Sequence, residues 1–270
     1  MNKDTAAPAG AESQDAAASE AVQIRAVPFD RPWEWLAAGW RDTWNRPGIS
    51  LAYGLLVAGI GLLLTFGLGL SGLEAMIPVL AGGFLLIGPL LAVGLYEKSR
   101  RLAAGEPLTL GNTIAAARSS ALRLSVLIAL LGFLYLVWMR VAFMLLALFL
   151  GTQGLPPARD FMSTLLFTSH GVGLLVVGTA VGALLAGVAF SAAAISIPML
   201  MDRRVDAFTA MAKSAEAVII NPKPMALWAA LIAGFIALGI STIGAGLIVA
   251  FPLIGHATWH AYRDLTGSKT

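Results

Sequence analysis

The chain has 270 residues, a formal charge of +3, 58% hydrophobic residues and only 12% charged ones. A soluble domain carries about 25% charge, so half that supply cannot clothe a water-facing surface. There is no cysteine, which excludes disulfides, thiolate metal sites and cysteine nucleophiles.

The chain opens on "MNKDTAAPAGAESQDAAASEAVQ". It has no apolar core of the kind a signal peptide needs. Its low hydrophobicity predicts a disordered, cytoplasmic tail over residues 1–28. The rest divides into a membrane domain over 29–266 and a short end, 267–270.

"FDRPWEWLAAGWRDTWNRPG" follows, Phe29 to Gly48, with four of the chain's seven tryptophans. On a helix, Trp33, Leu36, Ala37, Trp40 and Trp44 share one face. Pro32 suits a first turn, and Pro47 with Gly48 breaks the helix. Indole is apolar with a single donor and settles at headgroup level. The stretch therefore reads as a Trp-anchored amphipathic helix on the membrane face, or as one packed on the inner end of the bundle.

Six long uncharged or nearly uncharged runs come next: Ile49–Leu70, Ala75–Tyr96, Leu122–Leu150, Val172–Leu200, Met225–Ile243 and Leu247–Tyr262. A hydrocarbon layer of about 30 Å needs roughly 20 apolar residues per helix. The fold class is therefore an all-α membrane protein with six transmembrane helices. Gly244 and Gly246 mark a tight turn between the last two.

Basic residues set the orientation. Arg25, Arg31, Arg41 and Arg46 precede the first span. Lys98, Arg100, Arg101, Arg118 and Arg123 lie between the second and third, and Arg203, Arg204, Lys213 and Lys223 between the fourth and fifth. Arg263 and Lys269 follow the sixth. The opposite side has Arg159, with Arg140 near it. This positive-inside pattern places both termini in the cytoplasm of a multi-pass inner-membrane protein.

The plan repeats. "DAFTAMAKSAEAVII" from Asp206 is a second amphipathic helix, with Asp206 as its cap. "NPKPMALWAALIAG" from Asn221 then parallels "NRPGISLAYGLLVAG" from Asn45. "GPLLAVGLYEKSRRL" parallels "FPLIGHATWHAYRDL", pairing Pro89 with Pro252, Tyr96 with Trp259 and Arg100 with Arg263. A third surface segment, with Leu110, Ile114, Ala117 and Ala121 on one face, precedes the third span. These suggest three parallel repeats of a surface helix plus a membrane hairpin. Pro89, Pro198 and Pro252 each favour a kink, and kinked helices can surround a cavity or only shape packing.

Gly178, Gly182 and Ala186, and likewise Ala226, Ala230 and Gly234, are spaced for close helix packing within the chain or in a homodimer. Arg140 is the one candidate for a charge inside the bilayer, with Glu74 or Asp160 as partner. His256 and His260 are the candidates for cofactor binding, although both lie toward one end and also read as interfacial rings beside Trp259 and Tyr262. No cofactor, metal or catalytic residue is expected. Asp202, Arg203, Asp206, Arg100 and Arg263 form a charged rim fit for anionic lipid headgroups or a membrane-protein partner. Trp33, Trp40, Trp44 and Trp259 are the expected interfacial anchors. Nothing suggests nucleic acid as a partner.

"AGWRDTWNRPGISLAYGLL", "GLYEKSRRLAAGEP", "VVGTAVGALLA", "PMLMDRRVDAFTAM", "NPKPMALWAALIAG" and "PLIGHATWHAYRDL" resemble the bacterial integral membrane proteins catalogued as domain of unknown function 2189. The resemblance implies a bacterial inner-membrane protein and supplies no mechanism. Three functions stay open. The first is a non-enzymatic role in binding lipid or organising the membrane. The others are a transporter or channel for a small apolar solute, and a haem-binding redox module.

Overall fold

A long apolar run in lipid has one way to satisfy its backbone without neighbours, which is to become a helix. In the computed structural model, residues 22–73, 76–109, 122–151 and 158–268 are described, with positions 111, 115 and 120 between them. They hold eleven helices: α1 (Arg31–Trp44), α2 (Pro47–Leu70), α3 (Ile77–Leu91), α4 (Val93–Ala104), α5 (Ser125–Leu150), α6 (Ala158–Phe167), α7 (Ser169–Ala193), α8 (Ser196–Asp202), α9 (Ala207–Ile220), α10 (Pro222–Ser241) and α11 (Leu247–Thr266). The surface segment from Leu110 to Ala121 lies largely outside the described residues, as do Glu74 and residues 1–21.

Among the described residues, five stretches are long and apolar enough to cross a membrane: Pro47–Leu70, Val79–Ala104, Ser125–Leu150, Ser169–Asp202 and Pro222–Ser241. The sixth expected span is α11, whose place explains its lower hydropathy. Fifteen of its twenty residues are buried. It is the central post of the bundle, packed by α1, α2, α4, α8 and α10. A helix shielded by other helices need not be as oily as one facing lipid, so α11 can carry His256, His260, Arg263 and Asp264.

Two glycines let the walls close on this post. A Cβ on Gly39 of α1 would lie 2.7 Å from the Ala257 nitrogen, and one on Gly54 of α2 would lie 2.2 Å from the Ile248 carbonyl oxygen. A second apolar cluster joins α3, α5 and α7 at the far end through Val79, Leu145, Leu150 and Leu174. The Trp138 indole ties α5 to α3 by donating to the Val79 carbonyl at 2.7 Å.

The three prolines act differently. The second span breaks at Ala92, between α3 and α4, and the fourth at Ala194–Ile195, between α7 and α8. The latter break lies four residues before Pro198, where the ring clashes and the N–H is missing. The Ile195 N–H freed there donates to Ser214 Oγ on α9 at 3.2 Å. α11 runs through Pro252 without a break.

Residues 22–28, which composition assigns to the tail, are docked on the bundle. Val22 is buried. The Arg25 N–H donates to the Leu265 carbonyl at 2.8 Å. Buried Asn221 grips the same segment twice: its Oδ1 accepts from the Val27 N–H at 2.8 Å, and its Nδ2 donates to the Arg25 carbonyl at 3.0 Å.

Candidate functional site

Helix α1 has two apolar faces. Trp35, Leu36, Gly39 and Thr43 are buried, whereas Trp33, Trp40 and Trp44 are 54%, 47% and 45% exposed. Of the predicted stripe, Trp33, Ala37, Trp40 and Trp44 look outward while Leu36 turns inward, and Trp40 and Trp44 meet edge to face with centroids 5.4 Å apart. Trp259 does not share that role. It is 2% exposed and packs against Tyr262 inside the bundle, the two rings tilted with centroids 5.5 Å apart, because α11 is ringed by other helices.

Beneath the elbow between α1 and α2 lies a buried polar chain. Lys98, Ser99, Ser50 and His256 are all buried. Lys98 Nζ donates to Ser50 Oγ, to the Asp42 carbonyl at 2.9 Å and to the Arg46 carbonyl at 3.4 Å. Ser50 Oγ lies 2.9 Å from His256 Nε2, and Ser99 Oγ lies 2.8 Å from His256 Nδ1. Ser99 donates to Asp42 Oδ2 at 2.6 Å, and His260 Nε2 reaches the same oxygen at 2.9 Å.

The direction of each bond follows from counting hydrogens. The Ser99 hydrogen is spent on Asp42, so Ser99 accepts from His256 Nδ1–H. Ser50 accepts from Lys98, so its hydrogen goes to His256 Nε2. The relay Lys98→Ser50→His256→Ser99→Asp42 is closed with a neutral Nδ1–H imidazole. His260 joins it at the outer end. Burial works to raise the Asp42 carboxyl, but the hydrogen bonds from His260 and Ser99 outweigh it and hold the group below its ordinary value.

This arrangement corrects two expectations. His256 is a fully buried member of the relay and no interfacial ring. Both of its nitrogens are engaged, so an iron would have to displace Ser50 or Ser99. Lys98, read from the sequence as one of the basic residues that set the orientation, is fully buried here, and Ser50 and Ser99 drew no notice in the sequence. The available signal was small: a lone hydroxyl or imidazole in an apolar helix has to find a partner.

The relay ends at a cleft of about 360 Å³ between α1, the end of α11 and the docked segment. Arg25, Arg31, Arg41, Arg263 and His260 line it, with Glu34 and Asp264 as its acids. Both acids are engaged by Arg31: Nη1 bonds Glu34, and Nε donates to Asp264 Oδ2 at 2.8 Å. The bond to Asp264 leads in raising the Arg31 pKa above its already high ordinary value. Arg31 Nη2 also donates to Asp264 Oδ1 at 3.2 Å, and Trp35 Nε1 adds a third donor at 2.9 Å. The Trp35 ring in turn stands edge-on to Trp228 of α10, with centroids 5.7 Å apart.

The other rim residues stand apart from the cleft. Asp202 accepts from the Tyr262 hydroxyl at 2.7 Å, and Arg203 Nε donates to that same oxygen at 3.2 Å. Asp206 caps α9, accepting from Phe208 N–H at 2.9 Å and Thr209 N–H at 3.0 Å. The bonds from Thr209 lead in holding its carboxyl below the ordinary value. Arg100 is paired with Glu97 and Glu106. Arg140 is exposed on α5, away from these groups.

Residues 76–202 match the family described as "Predicted integral membrane protein (DUF2189)". The resemblance read from the sequence holds over that stretch, which runs from the start of α3 to the end of α8 and contains Lys98 and Ser99. Asp42, Ser50, His256 and the cleft lie outside it. No curated protein and no solved structure matches the chain.

Proposed function

We propose that this polytopic membrane protein binds the anionic headgroup of a membrane lipid in the arginine cleft, with its cleft end at the cytoplasmic face of a bacterial inner membrane. The observation that carries this reading is the imbalance within the cleft. Arg25 and Arg41 line the cleft beside two carboxylates, Glu34 and Asp264, that are both already held by Arg31. Guanidinium matches phosphate in charge and in its forked geometry. The outward Trp stripe of the same helix would hold the cleft at headgroup depth.

The role is non-enzymatic in this reading: the relay fixes α1, and α1 presents the arginines. The orientation rests on the basic residues gathered at this end, among them Arg46, Arg100, Arg101, Arg203 and Arg204.

The test uses delipidated protein in detergent. Short-chain phosphatidylglycerol, short-chain phosphatidylcholine and inorganic phosphate are titrated separately. Saturable binding of the first, at least ten-fold tighter than of the second and weakened several-fold in Arg25→Gln/Arg41→Gln, is the expected result. Equal affinity for the zwitterionic lipid would refute it. Binding of inorganic phosphate as tight as that of the lipid would reassign the site to a soluble anion.

A further inference from the structure

A second space lies on the apolar side of the Trp35–Trp228 pair. It is a crevice of about 90 Å³ between α3, α7, α10 and α11. Its origin is local. α3 and α7 give way at Ala92 and Ala194, and both residues line the space. The α7 wall is built of Ala186, Ala189 and Ala193, too small to fill what the breaks leave open. At the rim Leu85 is 37% exposed, while Phe190 and Ile232 are half-buried. The crevice therefore opens sideways, between spans, onto the surface these helices turn toward lipid.

Three side chains on its wall carry polar hydrogens: Tyr96, Thr258 and Trp228. Thr258 donates to the Ile254 carbonyl at 2.8 Å. The Trp228 indole N–H, fully buried, has no acceptor. A buried donor is rarely left unpaired, because it has lost water and gained nothing in return. An alkyl chain seated here would leave it so. A ligand with one oxygen acceptor would not.

We propose that this crevice is a binding site for a hydrocarbon-soluble molecule bearing a carbonyl or ester oxygen, which accepts the Trp228 N–H. The apolar walls take the hydrocarbon, and the buried Trp228 donor selects the oxygen. This site is independent of the arginine cleft, and neither reading depends on the other.

The test labels the protein with 5-fluorotryptophan in a detergent without carbonyl groups, and assigns the Trp228 fluorine signal by its loss in Trp228→Phe. Methyl decanoate and undecane are then titrated as probes. The expected result is a saturable shift of the Trp228 signal with the ester, at least five-fold larger than with the alkane. Ala189→Phe, which fills the crevice, should abolish it. Should that variant lose its helical circular dichroism, Ala186→Leu takes its place. An ester that produces no saturable shift, an alkane that matches it, or a shift that survives in a folded crevice-filled variant would each overturn the proposal.

Discussion

The buried ammonium of Lys98 points at the hydroxyl of Ser50, and its remaining hydrogen bonds go to main-chain carbonyls of Asp42 and Arg46. The Asp42 carbonyl belongs to the last turn of α1, where carbonyls lack helical partners and the dipole is negative. Lys98 thus caps α1 from the inside of the bundle. It also holds the elbow where Arg46 takes a left-handed φ of 54°.

Removing that cap should be costly. Lys98→Ala leaves two carbonyls and a hydroxyl without their donor, and about 2–4 kcal/mol of stability should be lost. Ser50→Ala should cost less, about 1–2 kcal/mol, because Lys98 keeps its carbonyls. Thermal unfolding in detergent measures both. An Lys98→Ala midpoint within a degree of the parent would show that the cap holds nothing.

The relay predicts an acid-sensitive fold. The Asp42 carboxyl sits below its ordinary value of 3.8 in the folded protein. A group with a depressed folded pKa contributes stability above its unfolded pKa, and that contribution disappears as pH falls through the folded value. The unfolding midpoint should therefore hold steady from neutral pH down to about 4.5 and drop below 3.8, with Asp42→Asn removing this part of the slope. A variant with the same acid slope as the parent would remove Asp42 from the cause.

Two glycines should respond in opposite ways to the same change. Gly54→Ala puts a methyl group against the Ile248 backbone and should cost roughly 1–3 kcal/mol or more. Gly59→Ala on the same helix meets nothing within 4 Å and should be neutral or stabilise by up to about 1 kcal/mol through helix propensity. Paired melting curves decide it, and a stabilising Gly54→Ala would place α2 further from α11 than described.

The two faces of α1 predict a fluorescence pattern. In bilayers whose lipid chains carry bromine near the headgroup, Trp33, Trp40 and Trp44 should be quenched. Trp35, Trp228 and Trp259, buried within the protein, should be protected. Single-tryptophan variants read each ring in turn, and a quenched Trp35 would put the wrong face outward.

Asn221 holds residues 25–27 through both ends of its amide. Asn221→Ala should release the segment and speed tryptic cleavage after Arg25 several-fold, leaving the helices intact. Unchanged cleavage would mean that the Arg25–Leu265 bond suffices.

The spans were legible because an uncharged run has few ways to exist, and the outward Trp stripe because its period is that of a helix. The inward face of α1 was not, since Trp35 and Thr43 fall between the stripe residues and look like its polar side. The relay escaped for another reason. Asp42, Ser50, Ser99 and His256 come from four helices, and a single hydroxyl among leucines carries no pattern of its own. α11 read as one more span because apolar composition serves a helix facing protein as well as one facing lipid. Its histidines and Asp264 were the hint that it stood inside. The charged rim was visible residue by residue, but its division into the cleft, the Asp202–Tyr262–Arg203 bridge and the Glu97–Arg100 pair depends on how the helices meet.

The central helix follows every wall it supports, so translation delivers the walls first and the post last. Until α11 leaves the ribosome, Lys98, Ser50 and Asp42 have no imidazole between them, and α1 lacks the helix it packs against most extensively. α3, α5 and α7 can close on their own apolar cluster before then, but the arginine cleft is assembled only when α11 arrives.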